Sequence, residues 1–147
     1  MKFTEEKISK AWPEAIELMR ANNEETGALS SQEFKPNKER YEQIEDIGML
    51  KLYVARDLEG ILRGYAIFWI SPHMHYSECY WAQQDVMYMD KRYRGVAAYR
   101  FMNWIDDKLK EEGIDYVIRG VSEKNDYSRV LERIGYKKIE TNFMRRF

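Results

Sequence analysis

The chain's most chemically suggestive stretch runs from Tyr88 to Met102, YMDKRYRGVAAYRFM. Lys91, Arg92, Arg94 and Arg100 crowd around Gly95, with an apolar run before it and an amphipathic run after it. This is the chemistry of an anion site. A helix starting near Val96 leaves its first four backbone N–H groups without intrahelical partners. The same end carries a partial positive charge of roughly half a unit, so an anion docks there readily. Gly95 admits a close backbone approach and tolerates a positive φ. Ala97 keeps the first helical turn thin, and Arg92 and Arg94 add full charges. The expected guest is a diphosphate. The commoner phosphate cradles, GxGxxG and GxxxxGK followed by Ser or Thr, are absent from the sequence.

Such a turn needs a strand behind it and a helix ahead of it. Glu78 to Met89 reads as a long strand, and Val96 to Glu112 as the clearest helix, with Ala98, Met102, Ile105 and Leu109 on one stripe. Gly113 stops that helix, and Asp115 to Val121 reads as the next strand. A strand, helix, strand order implies a right-handed crossover between parallel neighbours. Upstream, Leu50 to Ala55 and Ile61 to Ile70 form a hairpin through RDLEG. Residues 1–3 read as a short strand. Ala11 to Asn23 reads as a helix, with Pro13 in an early turn and Trp12, Ile16 and Met19 at helical spacing. Pro36 to Asp46 reads as a more polar helix anchored by Tyr41 and Ile44. Tyr127 to Ile134 is a short helix ended by Gly135, and Tyr136 to Phe147 is expected to give one or two final strands. The fold class is α/β, or mixed α+β: a twisted mixed sheet of six to seven strands flanked by about four helices, in a single domain over residues 1–147.

Bulk properties agree with one soluble domain. The 147 residues are 44% hydrophobic and 33% charged, long enough to bury about two thirds of the unfolded chain's surface. Cys79 is the single cysteine, which excludes an internal disulfide and a cysteine-based zinc cage and fits a reducing compartment. No basic-then-apolar leader opens the chain, and no apolar run approaches about 18 residues. A cytoplasmic protein with no membrane partner is expected. Residues 1–89 carry 10 Lys/Arg against 15 Asp/Glu, and residues 90–147 carry 14 against 10. A local anionic ligand therefore fits better than a nucleic-acid surface, since no face is uniformly basic.

Arg92-Tyr93-Arg94-Gly95-Val96-Ala97 resembles the Gln/Arg-x-x-Gly-x-Gly/Ala motif of the GNAT superfamily, the GCN5-related N-acetyltransferases. That family places the motif between its fourth strand and third helix, where it falls in this chain. A second likeness lies in NDYSRVLERIGY, where Asn125, Ser128, Gly135 and Tyr136 resemble the family's Asn-led short helix closing on a Gly-aromatic pair. The resemblance runs from about Leu50 to Phe147, and its compactness is similar to that of members found in bacteriophage genomes.

The resemblance implies acetyl-CoA as co-substrate and no metal. Arg92, Tyr93, Arg94, Gly95, Val96 and Ala97 would hold the pyrophosphate. Met89 would pair its backbone with the pantetheine arm, and Asn125 would reach that arm from the other side. The gap between Met89 and the Asp115–Val121 strand would admit it. An acceptor ammonium titrates near about 10.4, so a base must take its proton. Family members carry that group four or six residues before the pantetheine position, which gives Asp85 and Gln83. Even spacing would put both on Met89's face of the strand. Asp85 is the candidate base. The family's usual acid, a Tyr four residues before the Gly-aromatic pair, is replaced by Leu131, leaving Tyr127, water or no group to protonate the leaving thiolate. Backbone N–H groups of the third and fourth strands would polarise the thioester carbonyl.

Other features read as structural. His73 and His75 lack a third ligand until Glu78 and suit loop packing better than a metal. Trp69, Trp81 and Trp104 read as core. The acidic residues of EEKISK and of the stretch after Asn23 read as solvated surface. The acceptor is expected to be a small-molecule or protein amine, cationic to suit the acidic N-terminal half. A homodimer is compatible with the aromatic C-terminal strands. Two alternatives remain beside the transferase: a catalytically degenerate CoA-binding or partner-binding protein, and a nucleic-acid-associated protein using the basic C-terminal half.

Overall fold

Ile8, Ala11, Ala15 and Met19 recur on one helical stripe and are all buried. This stripe decides where the first helix lies. In the computed structural model, which describes every residue except Ala28 and Ser30, α1 spans Ile8–Thr26 after a strand β1, Lys2–Glu6. The helix starts a turn earlier than its polar first residues suggest. Ile8 is pulled into the core, and its N–H is capped at 3.0 Å by the Glu45 carboxylate. Glu45 comes from α2, Lys38–Asp46. Asn37 accepts from the Arg40 N–H and caps α2 in turn.

Four further elements carry the sheet and site: β2 (Leu50–Arg56), β3 (Leu62–Pro72), β4 (Tyr80–Met89) and β5 (Tyr116–Ile118). The helices α3 (Val96–Glu111) and α4 (Ser128–Arg133) follow β4 and β5, and a 3-10 turn at Lys91–Tyr93 leads into α3. Strand order follows chain order, β1-β2-β3-β4-β5. The first three pairings are antiparallel and β4–β5 is parallel, as the crossover through α3 requires.

Alternation along the strands builds two cores. Leu52, Val54, Tyr65 and Ile67 face α1 and α2, and Tyr53, Phe68, Phe101, Ile105 and Leu109 meet on the α3 side. Phe101 is fully buried, and truncating such a ring costs about 3–5 kcal/mol. The sheet is thereby fixed between two helical layers, and β4 ends where the turn into α3 begins.

Among the described residues the sheet has five strands, not six or seven. Tyr136 to Phe147 forms no strand. The preceding strand is also shorter than Asp115–Val121. Past Ile118 the Gly120 carbonyl is taken by the side chains of Gln84 and Tyr127 in place of a strand partner. That leaves a three-residue β5 too short to seat another strand. The C-terminal segment then runs through solvent, with Ile139 68% and Phe143 94% exposed. Among the described residues, no helix is long and apolar enough to cross a membrane.

Candidate active site

β4 and β5 pair only through Trp81↔Tyr116, Ala82↔Val117 and Gln83↔Ile118. From Gln84 to Met89 the β5 side of β4 has no strand beside it, so the sheet splays open. Two cavities occupy the opening. One, of about 460 Å³, lies between the end of β4, the start of α3 and α4, and is lined mainly by apolar groups such as Met87, Met89, Met102 and Val130. The other, of about 240 Å³, lies between mid-β4, the last turn of α1 and the 120–125 loop, with Asn22, Thr26, Asp85 and Ser122 in its wall. Met87, Asn125 and Tyr127 line both.

The first cavity ends on the start of α3. Gly95 is the N-cap, at φ 88° and ψ −121°, and no side chain caps the helix. The first intrahelical bond is Tyr99 N–H to Gly95 O at 2.9 Å, so the amides of Val96, Ala97 and Ala98 precede it and remain available. A Cβ placed at Gly95 would meet nothing within 4 Å. Glycine is required there by backbone angle alone, and the space over it is open to a ligand. Uncapped amides, an open approach and an apolar groove fit a diphosphate carrying a long, weakly polar arm.

The loop arginines are already partnered. Arg92 bonds Asp90 through Nη2 at 2.7 Å. Arg94 donates to both Glu25 oxygens, at 2.7 and 2.6 Å, and to the Met89 carbonyl at 2.9 Å. The Tyr93 ring lies under Arg63 and Arg92, at 5.0 and 5.9 Å. Arg94 and Gly95 line the first cavity, as does Val96. Glu25 corrects an expectation: the acidic residues after Asn23 are not all solvated surface. Its side chain is largely buried, and hydrogen bonding by Arg94 holds its carboxyl below the usual range. Glu6 is likewise buried in a pair with Arg56 at 2.9 Å.

A β-bulge changes which way mid-β4 points. Ile67 pairs with Val86 and Phe68 with Gln84, leaving Asp85 without a partner. An extra residue in one strand resets the alternation. Val86 and Tyr88 therefore pack on the α1–α2 side, and Met87 and Met89 on the α3 side. Gln83 stands opposite Trp69, which packs against the α1–α2 core. Gln83 and Met89 thus fall on opposite faces, and the expected even-spaced alignment of Asp85 with Met89 fails. Asp85 instead opens into the second cavity. Its charge is felt by Tyr41 and Tyr65 on the α1–α2 side. Desolvation in the cleft raises its carboxyl above the ordinary range, against the opposing effect of the Trp69 side chain. A carboxylate poised upward in a cleft is suited to take and release protons.

Tyr127 and Asn125 converge on the junction from the other wall. The Asn125 N–H donates to Ser122 O at 3.0 Å, closing the loop that presents it. Tyr127 begins α4, its carbonyl accepting from Val130 and Leu131. Its hydroxyl stands 3.3 Å from Gly120 O and 3.3 Å from Gln84 Nε2. Leu131 is 7% exposed and belongs to the core. The histidines lie apart: His73 packs on Trp81 and Tyr76, with ring centroids 4.4 and 4.9 Å away. Among the described residues no cluster of three or more His, Cys, Asp or Glu could hold a metal ion. Sequence reasoning missed Glu25, Gln84 and Arg119. Their roles depend on partners far along the chain, and nothing local marks them.

No family model and no curated protein matches the chain. Solved structures do. The chain resembles a ribosomal-protein-alanine N-acetyltransferase from Brucella melitensis biovar Abortus 2308, at 18% identity and TM-score 0.74, over 99% of this chain and 98% of that one. It resembles glucosamine-6-phosphate N-acetyltransferase from Arabidopsis thaliana, at 18% identity and TM-score 0.73, over 99% and 97%. It also resembles an aminoglycoside acetyltransferase from an uncultured soil metagenomic sample, in complex with sisomicin, at 17% identity and TM-score 0.71, over 99% and 93%. The chain therefore has the fold of these acetyltransferases along its whole length.

Proposed function

We propose that this chain is an acetyl-CoA-dependent N-acetyltransferase of the GNAT superfamily, moving an acetyl group to a primary amine. The observation that carries this reading is the meeting of two chemically distinct cavities at Met87, Asn125 and Tyr127. One ends on an uncapped helix N-terminus and is otherwise apolar, which suits a diphosphate and its pantetheine arm. The other is polar and contains Asp85, which suits a cationic amine.

Each residue then has a role. The α3 amides and Gly95 hold the pyrophosphate, with Arg92 and Arg94 contributing charge. Met89 and Asn125 bracket the arm along the open edge of β4. Asp85 accepts the proton of the acceptor ammonium and leaves a neutral nitrogen as nucleophile. That nitrogen forms a bond to the thioester carbonyl carbon while the carbon–sulfur bond breaks. Backbone N–H groups along the open edge of β4 stabilise charge on the carbonyl oxygen; Tyr127 gives its proton to the departing sulfur, and the second proton shed by the new amide nitrogen restores the Tyr127 phenol. The acceptor is a small-molecule or protein amine.

Release of free CoA thiol, measured with a panel of amines, tests the reading. Turnover that needs both amine and acetyl-CoA and collapses in Asp85→Asn supports it; no thiol release with any amine contradicts it. One observation favours a second reading. Leu131, where the family carries its acid, is committed to the core, as expected of a CoA-binding protein without turnover. Acetyl-CoA binding without thiol release would select that alternative.

A further inference from the structure

We propose that Gln84 is a positioning residue that makes Tyr127 a proton donor into the cleft, and that buried Arg119 fixes it in that role; this rests on the transferase reading above. Arg119 follows β5, and its side chain is entirely excluded from solvent. Its Nη2 donates to Asp106 Oδ1 of α3 at 2.6 Å, its Nε to the Tyr136 hydroxyl at 2.9 Å, and its Nη1 to Gln84 Oε1 at 2.9 Å. Tyr136 is itself bound to both Asp106 oxygens at 2.9 Å. The guanidinium is clamped from three sides.

A guanidinium has donors and no acceptor. Gln84 must therefore turn its carbonyl oxygen toward Arg119, which removes the freedom an amide usually has to flip. Its nitrogen is forced to the opposite side, where it donates to Gly120 O at 3.1 Å and to the Tyr127 hydroxyl oxygen at 3.3 Å. That oxygen, as an acceptor from Gln84, keeps its own proton for another partner. In the structure that proton rests on Gly120 O at 3.3 Å, a carbonyl already accepting from Gln84 at 3.1 Å, and Tyr127 lines both cavities, so donation into the cleft requires the hydroxyl to turn from Gly120 O to the departing sulfur. The sequence Asp106, Arg119, Gln84, Tyr127 sets the direction of proton donation from a charge buried on the α3 side.

Steady-state kinetics on the full chain with acetyl-CoA and an accepted amine test this, using Tyr127→Phe, Gln84→Glu, Gln84→Leu and Tyr127→Phe/Gln84→Glu. Gln84→Glu keeps a partner for Arg119 but takes the Tyr127 proton for itself. The expected result is a kcat about tenfold or more lower, with KM for acetyl-CoA and melting temperature little changed. Gln84→Leu is expected to lower kcat similarly. The double variant is expected to be no slower than Tyr127→Phe, because residues acting through one another are not additive. Wild-type kcat in the folded Gln84 variants, or losses that multiply in the double variant, would overturn the positioning role and leave the transferase reading intact. Tyr127→Phe with full kcat would overturn the acid assignment and this inference together. Absent turnover in the wild-type chain would remove the transferase reading itself.

Discussion

Arg94 and Glu25, 69 residues apart in the chain, meet in two hydrogen bonds of 2.7 and 2.6 Å. The pair joins the loop between β4 and α3 to the last turn of α1. That turn also supplies Asn22 and Thr26 to the polar cavity, so one ion pair ties together a wall of each cavity. The Met89 carbonyl, also held by Arg94, adds the end of β4 to the same joint.

Glu25→Gln is expected to destabilise the fold by about 1–2 kcal/mol at neutral pH, as a lost charge-assisted bond does. The pH dependence has a definite sign. Hydrogen bonding by Arg94 holds the Glu25 carboxyl below its ordinary 4.5. The pair's contribution is therefore complete above that value and fades as pH falls through the lowered one. Urea unfolding of both proteins should show a gap at pH 7 that closes on acidification below the ordinary carboxylate range.

Asp85→Asn is expected to separate stability from activity. Burial raises the Asp85 carboxyl, so folding takes up a proton in the window between its ordinary and raised values, and stability declines as pH rises through that window. A permanently neutral Asn removes the penalty. Thermal unfolding at pH 7 should show the variant at least as stable as wild type, while kcat/KM for the amine falls by about 10²–10⁴. In wild type, the acid limb of the kcat/KM profile should lie above the ordinary carboxylate range.

Gly95→Ala introduces no clash, since nothing lies within 4 Å of the added carbon. The backbone, at φ 88°, is nonetheless forced, at a cost of about 1–3 kcal/mol. Relief of that strain rotates the amides at the start of α3. Differential scanning calorimetry should record a lower melting temperature, and acetyl-CoA should bind at least several-fold more weakly.

Arg119→Met leaves Asp106 and the Gln84 carbonyl without their buried partner. Breaking one side of a buried pair costs about 3–5 kcal/mol. Chemical denaturation should show a loss of that size, larger than for Arg92→Ala, whose guanidinium is mostly exposed.

The sequence was most informative where chemistry is local. The Gly95 turn is specified by neighbours within a few residues, and the β4–α3–β5 crossover follows from two periodicities and one helix stop. Counting back from Met89 by the offset the resemblance implies points to Asp85, but puts it on Met89's face. The bulge opposite Ile67 and Phe68 reverses that geometry, and a bulge depends on pairing with another strand, which spacing along one strand does not encode. Glu25 and Arg119 were silent for the same reason, since their partners lie at Arg94 and at Asp106, Tyr136 and Gln84. The strands expected from Tyr136 onward are not formed, and the strand beside them stops at Ile118.

Calorimetric titration of acetyl-CoA into the wild-type chain tests the central claim most directly. One molecule is expected to bind per chain with measurable heat, and the affinity should drop when Gly95 is replaced by Ala. No heat together with an unchanged melting temperature at saturating acetyl-CoA would contradict the assignment of the α3 N-terminus and the splayed β4 edge as its site.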